Sequence, residues 1–155
     1  MTFGVASMTA PLREVALRRP GKSIVTAEPS AWNYSEHFDP SKIESEYDRF
    51  VLALENFGVK IHWIKGDDLG NADSVFAYDA SLMTPQGAIL MAPGKEKRRG
   101  EEGLHKSFYI NKEIPIIGQI DAPGTAEAGD TLWLDENTVI IGKGFRTNTL
   151  GAEQV

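Results

Sequence analysis

The chain has 155 residues, a formal net charge of −6 and no cysteine, and 41% of its residues are hydrophobic. This composition is typical of one globular domain that buries a core. It argues against a nucleic-acid partner, a disulfide framework and a thiolate metal site. No apolar run approaches the roughly 18 residues of a membrane span, so we expect no membrane partner and a cytoplasmic location.

The first half of the chain predicts a strand, a loop and a helix. Residues 12–18 alternate apolar and polar side chains, as a half-buried strand does. Residues 28–37 are polar and aromatic without a clean period, which predicts a long loop. Asp39 suits the N-cap of the next helix, Pro40 its first position and Gly58 its C′ position.

This helix should bury one stripe of apolar side chains at helical spacing, formed by Ile43, Tyr47, Phe50, Val51 and Leu54. Residues 59–64 then alternate again as a strand. A helix followed at once by a strand is an αβ unit, so the pattern predicts an α/β fold.

The second half adds further strands and helices, and along the chain the order of two strands, a helix and a strand is seen once well and once imperfectly. The two passes are too dissimilar in sequence to predict a repeat. The predicted elements are strands at 75–78, 81–84, 88–91 and 114–120, a short helix near Leu104, a hairpin of 131–134 with 138–142, and a last helix capped by Thr147 or Asn148. We find no linker, so residues 1–155 are expected to form one structural unit whose last helix has only begun.

Two acidic pairs are candidate binding groups. Asp73 and Asp79 flank the predicted strand 75–78 at equal parity, which would place both carboxylates on one face. Two such carboxylates favour a cation near them, although Asp73 equally suits a turn cap. Glu127 and Asp130 lie in a turn with Gly129, where the backbone could approach a ligand; an ordinary acidic turn is the alternative.

Arg146 follows a predicted strand end and precedes a helix start, a position that favours binding of a carboxylate. Together with the acidic pairs it indicates a site for a planar, positively charged, polar ligand. Residues 95–99 could bind phosphate, but a solvated loop is the simpler interpretation. The three histidines lack metal-ligand spacing, and we expect neither a metal nor a cofactor. A carboxylate pair would also suit a glycosidase, a more distant alternative.

Taken in order, these motifs resemble the arginine deiminase and amidinotransferase superfamily, in particular its dimethylarginine dimethylaminohydrolase-like branch. The matching stretches are residues 10–15, Ala72–Asp79, 93–99, Glu127–Asp130 and 144–148. The resemblance implies a pentein fold, an α/β propeller of five ββαβ modules, of which this chain would supply the N-terminal half.

The resemblance also implies roles for named residues. Asp79 would hold the guanidinium nitrogens and Glu127, as a catalytic residue, would flank them on the other side. Asp73 would lie near the substrate's amino group, and Leu12 near the segment that covers the pocket. Arg98 and Arg146 would hold the substrate's carboxylate and the neighbouring backbone.

Members of the superfamily attack the guanidinium carbon with a cysteine thiolate that a histidine assists. This chain has no cysteine, and its histidines all precede Glu127. We therefore expect the substrate-binding half of a guanidino-modifying enzyme, inactive alone and completed by a C-terminal half in cis or in trans. The alternatives are a non-catalytic guanidinium-binding module and a structural remnant that assembles as a homo-oligomer.

Overall fold

A computed structural model describes residues 3–68 and 70–155. The chain divides into two compact units. Residues Pro11–Phe76 form the smaller unit, and residues 3–10 with Ala77–Val155 form the larger unit. Within these described ranges, no helix is both long enough and apolar enough to cross a bilayer.

The smaller unit contains a parallel strand pair and three helices. Its elements are β1 (Glu14–Leu17), α1 (Lys22–Thr26), α2 (Pro29–Trp32), α3 (Pro40–Asn56), β2 (Lys60–Trp63) and a 3-10 helix (Ala72–Val75). β1 pairs with β2 from Glu14 opposite Lys60 to Leu17 opposite Trp63. The predicted strand, helix and strand of the first half are therefore confirmed.

The ends of α3 follow the predicted signals. The Asp39 side chain accepts a hydrogen bond from the Ser41 amide at 2.9 Å, and Gly58 adopts a positive φ of 74° after the helix. The predicted buried stripe is only partly correct, since Val51 is the buried residue of this helix and Phe50 is 49% exposed. Helical spacing identifies the apolar face but not how fully neighbouring elements cover it.

Two predictions in the smaller unit were wrong. The region 28–37 is not one long loop, because it contains α2. Residues 75–78 do not form a strand: the 3-10 helix ends at Val75, and the Phe76 amide donates to the Asp73 carbonyl at 2.9 Å. The parity argument that placed Asp73 and Asp79 on one strand face therefore fails. A run of four apolar residues is too short to distinguish a strand from a helical turn.

The larger unit begins with a complete ββαβ module. Its elements are β3 (Ser81–Thr84), β4 (Gly87–Leu90), α4 (Glu101–Asn111) and β5 (Ile116–Gln119). The sheet order is β3-β4-β5, with β3 antiparallel and β5 parallel to β4. This order confirms the predicted succession of two strands, a helix and a strand for one module.

A second hairpin and a helix follow the module. They are β6 (Thr131–Asp135), β7 (Thr138–Ile141) and α5 (Thr149–Gln154). The β3-β4-β5 sheet and this hairpin share a core, against which Trp133 packs. The core is formed by Leu82, Met91, Ile120, Ala126 and Ala128. A backbone bridge between Ala92 and Ala126 brings the turn at 127–130 beside the end of β4, and so positions the candidate site.

Candidate functional site

Asp79 lies two residues before the start of β3 and is joined to the turn at 127–130. Its Oδ1 accepts from the Gly129 amide at 3.1 Å, and its backbone carbonyl accepts from the Ala128 amide at 3.0 Å. A Cβ at position 129 would collide with the Asp79 carboxylate. Glycine is therefore needed here for the approach of an acidic side chain of the protein itself, and not only for the ligand that the sequence suggested.

Arg98 connects Asp79 to helix α4. The guanidinium is 3% exposed and donates from Nη1 to Asp79 Oδ2. Its Nε and Nη2 donate to the buried carboxylate of Glu101, with Nη2 at 2.7 Å from Oε2. Burial acts to lower the pKa of Arg98, but the hydrogen bonds and charges of Glu101 and Asp79 outweigh it and raise the pKa above its ordinary value. Arg98 is thus a fixed cation that orients Asp79.

Glu127 is paired with Arg146. Arg146 Nη1 donates to both oxygens of this carboxylate, at 3.0 Å and 3.2 Å. The Glu127 side chain is 6% exposed, whereas the Arg146 side chain is 39% exposed. The Lys95 amide also faces Glu127 Oε1, at 3.4 Å. Glu127 is therefore a buried carboxylate paired with an arginine whose side chain is partly exposed.

Thr147 and Asn148 fix the backbone around Glu127. Thr147 is fully buried, and its hydroxyl accepts from the Glu127 amide at 3.2 Å and donates to Asp130 at 2.6 Å. The Asn148 side chain caps α5 by accepting from Gly151 and also accepts from the Thr125 amide at 3.1 Å. The predicted helix cap is confirmed, and the same residue holds the segment that leads to Glu127.

The remaining predicted site residues belong to the smaller unit. Asp73 is buried in the 3-10 helix, where its Oδ1 accepts from the Tyr34 hydroxyl at 2.5 Å. The neighbouring Ser74 accepts from Arg18 Nε at 3.1 Å. Leu12 is 52% exposed just before β1. Asp73 is thus held by a phenol within its own unit, a partner that its sequence surroundings did not reveal.

The larger unit therefore gathers four of the predicted residues, Asp79, Arg98, Glu127 and Arg146, around one turn. With Glu101 and Asp130 they form what we name the carboxylate cluster: four carboxylates and two guanidinium groups, a surplus of two negative charges. Such a surplus in a partly buried setting favours a cation, and carboxylates match the N–H fork of a guanidinium. Within the described residues, no group of three acidic or histidine side chains is arranged to hold a metal ion.

Two features of this region escaped the sequence reasoning. Glu101 carries no functional signal in the sequence, yet it is buried against Arg98. The only available signal was its position three residues after an arginine, which is common on surfaces. The second missed feature is a buried polar group formed by β3 and α4. The Ser81 hydroxyl lies 2.8 Å from His105 Nδ1 and 2.7 Å from the Tyr109 hydroxyl, and all three residues are buried.

Comparison with known proteins places this arrangement in context. No family model matches the chain. A dimethylarginine dimethylaminohydrolase from Pseudomonas aeruginosa is 33% identical over 147 residues, which is 92% of this chain and 55% of that protein. The corresponding enzyme of Streptomyces coelicolor is 28% identical over 152 residues, which is 94% of this chain and 55% of that protein.

Solved structures agree with these relatives. The Pseudomonas aeruginosa enzyme complexed with citrulline matches with a TM-score of 0.76 and 32% identity, covering 92% of this chain and 55% of that one. An amidinotransferase of saxitoxin biosynthesis from Microseira wollei has a TM-score of 0.72 at 16% identity, over 99% of this chain and 58% of that one, which shows the fold alone. The chain spans about half the length of the curated relatives that it matches.

The ββαβ module and these neighbours define an α/β protein of the pentein class, matching about half of each neighbouring chain. Within that class the chain belongs to the arginine deiminase and amidinotransferase superfamily and is dimethylarginine dimethylaminohydrolase-like. The resemblance drawn from the sequence motifs is thereby confirmed at the level of family and fold. The roles of the individual site residues stay predictions.

The contacts of Arg98 predict that replacing this residue alone lowers the free energy of unfolding more than replacing it together with Glu101. Arg98→Met should lower the free energy of unfolding by about 3–5 kcal/mol, because it leaves the buried Glu101 carboxylate without its cation. Arg98→Met combined with Glu101→Met should recover part of this loss, since the buried Glu101 charge is removed while Asp79, which is 21% exposed, still lacks its cation. Urea unfolding of both variants measures the difference, and a double variant as unstable as the single one would contradict the account.

Tyr109 predicts a dependence of stability on alkaline pH. Burial raises the pKa of its phenol, against a smaller lowering by the Ser81 hydrogen bond. A pKa that is higher in the folded state stabilises the protein below the ordinary tyrosine value of about 10, and that contribution is lost as pH rises above it. The stability advantage of the wild type over Tyr109→Phe should therefore stay constant up to about pH 9 and shrink as the pH rises above about 10. A difference in urea midpoints that stays constant from about pH 9 to about pH 11.5 would refute the assignment.

Proposed function

We propose that this chain is the N-terminal, substrate-binding portion of a guanidino-modifying enzyme, with dimethylarginine hydrolysis favoured over amidine transfer. The observation that carries the proposal is the joining of Asp79 to the turn that bears Glu127, through the Ala128 and Gly129 amides. Asp79 is thereby joined to the backbone of the two residues that follow Glu127. The match to dimethylarginine dimethylaminohydrolases supplies the substrate class.

In this proposal Asp79 and Glu127 flank the planar guanidinium and fix its plane for attack at the central carbon. Orientation of this kind is a large part of catalysis, and each carboxylate can accept two parallel N–H bonds. Glu127 acts as the catalytic residue of this portion because it contacts the reacting group. Arg98 and Arg146 are the proposed ligands of the substrate's carboxylate side, while Asp73 and Leu12 are proposed from the resemblance alone.

Turnover in this proposal requires a thiolate that the 155 residues do not supply, because the sequence contains no cysteine. The thiolate would add to the guanidinium carbon and expel an amine, and water would then release the product and regenerate the thiol. A C-terminal half, in cis or in trans, would supply the cysteine and histidine. The chain alone is proposed to bind without turnover, in the cytoplasm.

A second candidate is assembly without catalysis. The hairpin β6–β7 exposes Leu132, Leu134 and Ile140, and Leu132 lies directly opposite Ile140 across the two strands. A contiguous apolar face of this kind is typical of a surface that another element covers. Either a second copy of the chain or a C-terminal half of the enzyme could cover this face. Assembly without catalysis therefore differs from the first proposal in predicting that the chain binds no guanidino ligand.

Ligand binding by the purified chain tests the first proposal. L-Arginine and dimethylarginine should bind with dissociation constants of about 1 mM or tighter, measured by calorimetry. Asp79→Asn and Glu127→Gln should each weaken binding at least about tenfold, because each loses a charge-assisted hydrogen bond to the guanidinium.

Glu136→Gln is the matched control for these variants, because it removes one negative charge from the exposed turn between β6 and β7. It should leave the affinity within about twofold, since screening limits an exposed, distant charge. Equal weakening by all three variants would show that only overall charge matters. No binding to the wild type would favour assembly without catalysis.

The intact mass of the protein in its native source tests the proposal that this is one portion of a larger domain. A species near twice 17.0 kDa is expected, with a cysteine and a histidine in the remainder. A native species of 17.0 kDa would reject completion in cis. Completion in trans would then require a partner that co-purifies with this chain.

A further inference from the structure

The phenol of Tyr34 contacts a carboxylate that the proposed function assigns to the ligand. Its hydroxyl donates to Asp73 Oδ1 at 2.5 Å, a distance typical of a charge-assisted hydrogen bond between a hydroxyl and a carboxylate. Asp73 is 5% exposed, so this bond restricts the orientations open to its carboxylate. The inference that follows rests on the proposed function, in which Asp73 lies near the amino group of the ligand.

The ring of Tyr34 is itself held in place. It stacks on Trp32, with ring centroids 6.3 Å apart, and meets the Phe38 ring edge to face at 5.2 Å. Its backbone amide donates to the Pro29 carbonyl at 2.9 Å. Asn33, in the left-handed conformation with φ of 63°, turns the chain at the end of α2. Aromatic packing and a helix end therefore both fix the position of the phenol.

The segment that bears Asp73 is held separately, by Arg18. This arginine is 6% exposed, and its Nη2 donates to the Asp67 carbonyl at 2.8 Å. Its Nε donates to the Ser74 hydroxyl at 3.1 Å. Because Ser74 follows Asp73 directly in the 3-10 helix, these bonds hold the backbone on which the carboxylate stands. Tyr34 acts instead on the carboxylate itself.

We propose that Tyr34 is a positioning residue that sets the preference of this site for guanidino ligands carrying an amino group. Its phenol holds the Asp73 carboxylate in one orientation before the ligand arrives. The ammonium group of the ligand then meets a partner whose ordering cost has already been met in folding. Tyr34 exerts this effect through Asp73 and needs no contact with the ligand.

Two ligands isolate the amino group. L-Arginine carries it, whereas δ-guanidinovalerate keeps the guanidinium and the carboxylate but has a hydrogen in its place. Calorimetry on the full chain should show that the wild type prefers L-arginine. In Tyr34→Phe, which removes only the hydroxyl, L-arginine should bind about three- to tenfold more weakly, the equivalent of one hydrogen bond. The affinity for δ-guanidinovalerate should change less than about twofold, because this ligand has no ammonium group for Asp73.

Tyr47→Phe is the matched control for this variant. It removes a phenol of the same unit that donates to a backbone carbonyl, that of Arg18, at 2.7 Å. It should leave the ratio of the two affinities within about twofold of the wild type, so a general loosening of the unit is told apart from a loss of orientation. Melting curves show that each variant is folded.

A double-mutant cycle with Asp73→Asn tests whether Tyr34 acts through Asp73. Asp73→Asn should remove most of the preference for L-arginine, since the charge that attracts the ammonium group is lost. Adding Tyr34→Phe to Asp73→Asn should then change the ratio of the two affinities no further.

The outcomes separate this inference from the proposed function. A weaker preference for L-arginine in Tyr34→Phe, absent from Tyr47→Phe and from the Asp73→Asn background, supports it. A preference that Tyr34→Phe leaves unchanged overturns it, as does an equal fall in both tyrosine variants or a full preference in Asp73→Asn. If Asp79→Asn still weakens both ligands in those cases, the proposed function stands. If the wild type binds neither ligand, the two proposals fail together.

Discussion

The Arg98 guanidinium between Asp79 and Glu101 is the contact on which the rest of the cluster depends. Two carboxylates held this close would repel and would be costly to bury without a cation between them. With Arg98 in place, helix α4 is tied to Asp79, two residues before β3. Asp79 can then reach across to the Gly129 amide and hold the turn that carries Glu127. The buried Arg98 thus holds the Asp79 and Glu101 carboxylates on either side of its guanidinium.

The same cluster uses two arginines with opposite properties. A buried cation with a raised pKa supplies fixed geometry, whereas Arg146, whose side chain is 39% exposed, pairs with the buried Glu127 at the edge of the cluster. Sequence resemblance assigns both to the substrate's carboxylate side and does not distinguish them. The difference lies in packing: Arg98 is enclosed with α4, and Arg146 extends from the segment between β7 and α5 toward solvent.

Much of the fold could be predicted because its signals are local. Asp39 and Gly58 delimit α3, Asn148 caps α5, and the alternation of the strands gives the ββαβ order. The residues of the candidate site were identified as motifs, but their partners were not. Asp73 was assigned to a strand end because four apolar residues follow it, and the 3-10 turn replaced that strand. Glu101 was missed because burial depends on tertiary contacts that no local pattern encodes.

The Asn148 side chain couples the stability of the last helix to that of the acidic turn. The side chain caps α5 and also accepts a hydrogen bond from the backbone amide of Thr125, two residues before Glu127. The Asn148 backbone amide donates to the Thr125 carbonyl. Fraying of α5 would therefore release the Thr125 and Glu127 backbone together, as a single cooperative opening. In hydrogen-exchange terms, the Thr125 and Gly151 amides should share one protection factor, so opening of α5 would also loosen the backbone that leads to Glu127.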